Sequence, residues 1–250
     1  MRPPIYPPKG AAKEYADWAL NIYDGCPHAC PYCYVPAILR KDRAEFHKCA
    51  KPREGLLDAL SRQLELGLEI DHRYWYGKLI HLCFTCDPYP TGCDSSITRT
   101  VIKMLHEAGA FCQILTKGDP RLDFDLLTAD DWVGVTVDGG WDYSVTPGGA
   151  DRAKILVDAK RAGIRTFISA EPLLNFERLQ SFLEHLHCWE DATPMPTPPI
   201  DQIRLGPLNH VAGVAPLNWR YIRDHIHDRL DESVKVVWKS GALKLMKGEK

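Results

Sequence analysis

No stretch of this 250-residue sequence approaches the roughly 18 consecutive apolar residues of a membrane span, so a bilayer-crossing helix is not expected. An excess of charge of either sign is missing too. With 31 Lys and Arg against 33 Asp and Glu the formal net charge is −2, and no global basic field advertises a polynucleotide partner, although a local basic groove is compatible with that total. The opening run MRPPIYPPKG has no apolar core of the signal-peptide kind, from which we expect a cytoplasmic chain. A disulfide framework is not expected either, because the nine cysteines are odd in number and a chain of this length needs no staples. What is left, at 45% hydrophobic and 26% charged residues, is an ordinary globular composition sized for one α/β domain over residues 1–250.

Apolar runs alternate with amphipathic stretches, the pattern of repeated βα units on a parallel sheet. Strands are predicted at Trp18 to Tyr23, Leu79 to Cys86, Phe111 to Thr116, Trp132 to Val137, Thr166 to Ala170, Ile203 to Leu205 and Val234 to Trp238. Leu56, Leu57, Leu60 and Leu64 recur at helical spacing, and further helices are predicted over 97–108, 151–162, 177–187 and 218–230. Gly109 and Gly163 close two of them. Six or seven such units make an open, partial parallel β/α barrel. Residues 189–199, containing the proline-rich run ATPMPTPP, read as a surface connection between a core at 15–175 and a segment, 200–250, that completes the barrel or forms a lid. Ligand sites of such sheets gather at the C-terminal strand ends. That puts on one rim the run TCDPYP from Thr85 to Pro90, Lys117, Thr136 with Asp138, Glu171, and Asn209 with His210.

The same rim receives Cys26, Cys30 and Cys33, spaced C-x3-C-x2-C in CPHACPYCY directly after a turn glycine, Gly25. Four thiolates would close a structural zinc site or complete an iron–sulfur cluster, whereas this loop supplies three and leaves one position open. A zinc site remains an alternative if His28, His47 or Cys49 adds a fourth ligand, although zinc knuckles favour paired C-x2-C units.

The cysteine spacing, with Tyr32 just before the last thiol, resembles that of the radical S-adenosylmethionine superfamily. The runs NIYDGCPHACPYCY, FTCDPYP, LTKGDPR and GVTVDG are further similar, over roughly residues 15–175, to its spore photoproduct lyase-like branch, while AEPLLN and VWKSG resemble a phage-associated branch without assigned chemistry. This resemblance implies a [4Fe–4S] cluster on Cys26, Cys30 and Cys33 with S-adenosylmethionine chelating the fourth iron. It also implies an external electron donor and a 5′-deoxyadenosyl radical that abstracts hydrogen from a substrate. Tyr32 would lie near the adenine and Lys117 would pair with the methionine carboxylate. Thr85 and Asp87 would either receive the ammonium group or order the strand end. Thr136 and Asp138 are candidates for the ribose hydroxyls, with a turn as the other reading of Asp138.

Three further side chains are candidates for catalysis. Glu171, at the end of an apolar strand, needs a cofactor, a substrate or an arginine, with Arg165 and Arg204 as the candidate arginines. Cys83 and Cys86 occupy the strand on which the family's lyase carries a cysteine that returns hydrogen to the substrate radical, and a buried cysteine acting as a small hydrophobe is the alternative. Strand alternation would put Cys83 with Thr85 and Asp87 on one face and Cys86 on the other. Cys93, ahead of a helix, is a third reactive thiol candidate. A nucleic acid or nucleotide is the favoured substrate, from the resemblance and from the basic segment Arg40 to Arg53 with Phe46, His47 and Lys48. Rival readings are a peptide or small-metabolite substrate, transfer of another fragment of S-adenosylmethionine, and a non-catalytic zinc or redox-sensing binding module.

Overall fold

The computed structural model describes residues 3–139, 145–192, 198–208 and 217–248, without the side chains of 187–192. The chain divides into two compact units, residues 1–132 and 133–250.

The first unit begins with β1 (Ile5–Tyr6), which pairs antiparallel with β2 (Trp18–Leu20) in the register Ile5 to Leu20. Gln63 reaches back to both main-chain groups of Ile5 and fixes this edge. β3 (Tyr23–Asp24) opens an excursion holding α1 (Val35–Leu39) and α2 (Arg43–Phe46), and β4 (Lys51–Pro52) returns antiparallel to β3. After α3 (Leu56–Ile70) come β5 (Leu79–Leu82), α4 (Ser96–Glu107) and β6 (Phe111–Thr116). β2 runs parallel to β5, and β5 to β6, giving the order β1-β2-β5-β6. Ile80, Leu82 and Ile114 on the strands and Leu60, Ile102 and Leu105 on the helices are fully buried, so the leucine spacing read from the sequence does face the core.

In the second unit, β7 (Trp132–Thr136), which begins at the boundary residue, leads to α5 (Gly149–Arg161) and β8 (Arg165–Ala170). There follow α6 (Phe176–Ala192), β9 (Gln202–Leu205), α7 (Trp219–His225), β10 (Lys235–Trp238) and α8 (Ser240–Lys247). The order is β7-β8-β9-β10, with β8 parallel to β9 and β9 to β10. The Phe167 ring lies so close to Gly134 that a methyl group there would be 2.3 Å from it, which is how a bulky aromatic fits between neighbouring strands.

The α/β class and the parallel register are as the alternation predicts, and all seven predicted strands are present. Four details differ. The first strand stops at Leu20, because Asn21 turns its side chain onto the main chain of Phe84 and Thr85. The second stops at Leu82, because Cys83 adopts a left-handed φ of 71° that no strand continues. The helix predicted over 218–230 tightens into a 3-10 turn at Ile226–Arg229. α6 runs on to Ala192, past the expected start of the proline-rich connection; residues 193–197 of that connection lie outside the described residues. No helix among the described residues is long and apolar enough to cross a membrane.

Candidate active site

The cysteine loop is built from the inside outward. Gly25, at φ 84°, starts it, and a side chain there would fall 2.1 Å from the Cys49 carbonyl, so only glycine lets the two segments pass. Cys26 N–H donates to the Phe46 carbonyl, and the His47 ring nitrogen Nδ1 bonds the Cys26 carbonyl at 2.8 Å. The guanidinium of Arg43 donates to the carbonyls of Cys30 (2.6 Å), Cys33 (2.9 Å) and Pro31 (3.0 Å). One planar fork thereby fixes the turn that carries two of the three thiols.

His28 joins this loop to the strand ends. Its Nδ1 lies 3.3 Å from Asp87 Oδ2, and its Nε2 accepts from the Thr91 N–H at 3.0 Å. Asp87 also accepts from Tyr89 N–H, Lys117 N–H and the Thr116 hydroxyl, the last at 2.5 Å. Burial alone would raise the Asp87 carboxyl, but the His28 ring and the remaining donors outweigh it and hold the carboxyl at about 2. Of the two roles that the sequence left open for Asp87, its geometry is that of a strand-end organiser. Thr85 likewise is engaged within the fold, its hydroxyl accepting from Arg53 at 3.2 Å and its N–H donating to Asn21.

Lys117, whose main chain Asp87 fixes, extends its ammonium over the Tyr32 ring, 5.4 Å from the centroid. The loop and the LTK run are therefore brought together. Gly118 closes this turn, since a side chain there would strike the Tyr89 carbonyl at 1.9 Å.

Cys83 and Cys86 do not lie on opposite faces. With the strand ended at Leu82, the alternation no longer applies, and the two sulfurs accept from consecutive amides of the loop approach, Ile22 N–H and Tyr23 N–H, each at 3.4 Å. Burial, with Cys86 beside it, pushes the Cys83 thiol well up. Cys93 sits in a turn before Ser95, the N-cap of α4, and so is not in the first turn of that helix.

Among the described residues, the His, Cys, Asp and Glu side chains that converge within 4.8 Å are His106, Cys112 and Asp131. That group is explained without an ion. Asp131 accepts from His106, Cys112 N–H, Thr128 N–H and the Thr128 hydroxyl, which ties β6 to the turn before β7. Three soft donors on one locked loop, with a position left open, are the donor set an iron–sulfur cluster takes. His28, one imidazole considered as a fourth ligand, has both ring nitrogens committed to Asp87 and Thr91, whereas His47 commits only Nδ1, to the Cys26 carbonyl, and its buried Nε2 has no hydrogen-bond partner among the described residues.

In the second unit, Thr136 and Asp138 are buried at the end of β7; the Thr136 carbonyl accepts from Arg152 and the Asp138 carbonyl from Leu174 N–H. Glu171 meets Lys239, which is 2% exposed, at 3.6 Å. Lys239 was not among its anticipated partners, being 68 positions away in sequence, 239 minus 171. Asn209 and His210 lie outside the described residues.

The basic segment from Arg40 to Arg53 is largely spoken for: Arg43 by the loop, Lys41 by Asp24, Lys48 by Glu45, and Arg53 by Asp24, Tyr23 and Thr85, while Phe46 is core. Sequence reasoning does not single out Arg43 or Asn21, and it names His28 only as a candidate zinc ligand. Arg43 lies inside the segment read from the sequence as favouring a nucleic-acid substrate.

No protein-family model matches the chain. An uncharacterized protein, ORF301, of Acidianus two-tailed virus is 33% identical, over 51% of this chain and 46% of its own length. A spore photoproduct lyase structure complexed with dinucleoside spore photoproduct superposes on 93% of this chain with a TM-score of 0.68 at 11% identity. The fold is that of spore photoproduct lyase. A variant of the lyase with bound AdoMet and dinucleoside spore photoproduct matches 89% of this chain at TM-score 0.62 and 15% identity. The chain spans 65% of that lyase chain, 79% of the first, and about half of the viral protein. At these identities the likeness to the lyase is one of fold.

Proposed function

We propose that this protein is a radical S-adenosylmethionine enzyme of the spore photoproduct lyase-like kind, acting by hydrogen abstraction on a nucleic acid or nucleotide. The observation that carries the reading is the loop of Cys26, Cys30 and Cys33, locked through its carbonyls by Arg43, on a fold shared with a lyase. The cluster and S-adenosylmethionine, when bound, supply a 5′-deoxyadenosyl radical by reductive cleavage.

The chain's own residues do the rest. Cys26, Cys30 and Cys33 hold three irons. Tyr32 offers a flat apolar face for the adenine, and Lys117, oriented through its main chain by Asp87, offers its ammonium to the methionine carboxylate. Asp87 and Thr85 shape the strand end on which that lysine depends. Thr136 and Asp138 serve the ribose, Glu171 faces the substrate while neutralising Lys239, and Cys86 backed by Cys83 is the candidate hydrogen donor. The substrate class is supported by the dinucleoside photoproduct in the matching lyase structures and not by the basic segment, whose cations are engaged locally. An external one-electron donor is required by the chemistry.

The test is anaerobic reconstitution with iron and sulfide, reduction with S-adenosylmethionine, and chromatography for 5′-deoxyadenosine in wild type and Cys30→Ala. Product from wild type alone supports the reading. A colourless zinc protein, or a reducible cluster that leaves S-adenosylmethionine intact, rejects it.

A further inference from the structure

The second unit contains a pocket of about 290 Å³ whose lining shares only Asp138 with these roles. Its walls are the end of β7 (Val137, Asp138, Gly139), the first turn of α5 (Gly149, Ala150, Arg152) and one side of α6, including Arg178 and His185. Two arginines and a histidine stand against one carboxylate, Asp138, so the pocket is net cationic. α5 opens at Gly148 with no side chain capping its amides, and it spans 13 residues, long enough for its N-terminal dipole to favour an anion. Independently, Arg152 is 6% exposed and its Nε has no hydrogen-bond partner. The same guanidinium donates through its other nitrogens to the Thr136 carbonyl and the Thr146 hydroxyl. A buried donor left unmatched beside a cationic pocket is a group awaiting an acceptor.

We propose that this pocket binds a backbone phosphate of a polynucleotide substrate, with Arg178, Arg152 and the α5 amides on the phosphate. S-adenosylmethionine carries no phosphate, so the cofactor gives no reason for these cations. This assignment rests on the nucleic-acid reading above and narrows it from nucleotide to polymer, because a backbone phosphate joins two nucleotides.

The experiment reads binding alone. A short fluorescein-labelled single-stranded oligodeoxynucleotide is titrated into the full chain over a range of salt concentrations, with wild type, Ala150→Glu and Arg178→Gln compared. Ala150 is exposed in the first turn of α5, where a glutamate suits the helix and repels a phosphate. Each variant is expected to weaken binding about tenfold, and Arg178→Gln to flatten the slope of log affinity against log salt by about 0.7. Affinity unchanged in both variants overturns the proposal, as does a wild type that binds no oligonucleotide or only a mononucleotide. The same wild-type preparation is assayed for 5′-deoxyadenosine. Its absence rejects the radical reading without bearing on the pocket.

Discussion

His28 and Asp87, 3.3 Å apart and both buried, are the joint between the cysteine loop and the ends of β5 and β6. Through Asp87 the loop is linked to Thr116 and Lys117, so the segment proposed to bind metal and the lysine proposed to face the cofactor are positioned by one carboxylate.

That carboxyl gives a defined acid limb. Its folded value, about 2, lies below the ordinary aspartate value of about 3.9, so the unfolded chain binds the proton more readily. The stabilisation, about 2 kcal/mol, is fully present above pH 4 and is lost as pH falls towards 2. Urea unfolding of wild type and Asp87→Asn should show the variant less stable by about that amount at pH 7, with the difference vanishing near pH 2.

Loading of the loop should depend on pH in the opposite region. Burial pushes the Cys26 and Cys33 thiols up, and the nearby Asp87 charge adds to this at Cys26. The thiols are protonated at neutral pH and must release protons to ligate metal, so iron incorporation should rise with pH above neutrality and still be climbing at the ordinary cysteine value of about 8.5. Iron and sulfide assays after reconstitution at fixed time would detect it, and a flat profile would argue against these thiols as the ligands.

Arg43→Lys preserves charge but not geometry. A lysine ammonium cannot span three carbonyls, so metal affinity is expected to fall about tenfold under limiting iron while the thermal midpoint changes little. Equal iron content in the two proteins would mean the clamp is incidental.

Lys239 and Glu171 form a pair whose partners cannot be removed singly without cost. Glu171→Gln removes one carboxylate charge from beside a lysine that is 2% exposed and should destabilise by about 3 kcal/mol. The double variant Glu171→Gln with Lys239→Met should recover most of that loss. Equal destabilisation in single and double variants would show that the two side chains do not act on one another.

Much of this was legible in the sequence where the signal is local and periodic. β6 has the predicted bounds, Phe111–Thr116, because its apolar run is long and a glycine precedes it. α1, α2 and β1 were not legible, since helices of five and four residues and a two-residue strand carry no measurable period. Cys83 illustrates a different failure. Nothing in LIHLCFTC announces a left-handed residue, yet one such φ ends the strand and reverses the expected facing of Cys86. In the site, the cysteine spacing and the candidacy of Tyr32 and Lys117 followed from the motifs and the resemblance, whereas the contact of the Lys117 ammonium with the Tyr32 ring did not. The partners of His28, Glu171 and Asn21 lie about 60 positions away or more, and only the folded chain reveals them.

The neck formed by β3 and β4 bears on how the metal site comes into being. Residues 25–50 leave and rejoin the unit at one point, where Tyr23 faces Pro52, Asp24 faces Lys51, and Arg53 bridges back to Asp24 and Tyr23. Both strands of this pair are two residues long, and neither belongs to the larger sheet. Such an excursion can open as a cooperative segment while the sheet stays intact. Folding of the sheet and assembly of the metal site are then separable events, and amides between the cysteines should exchange with solvent long before those of β5 and β6, until loading brings the two rates together.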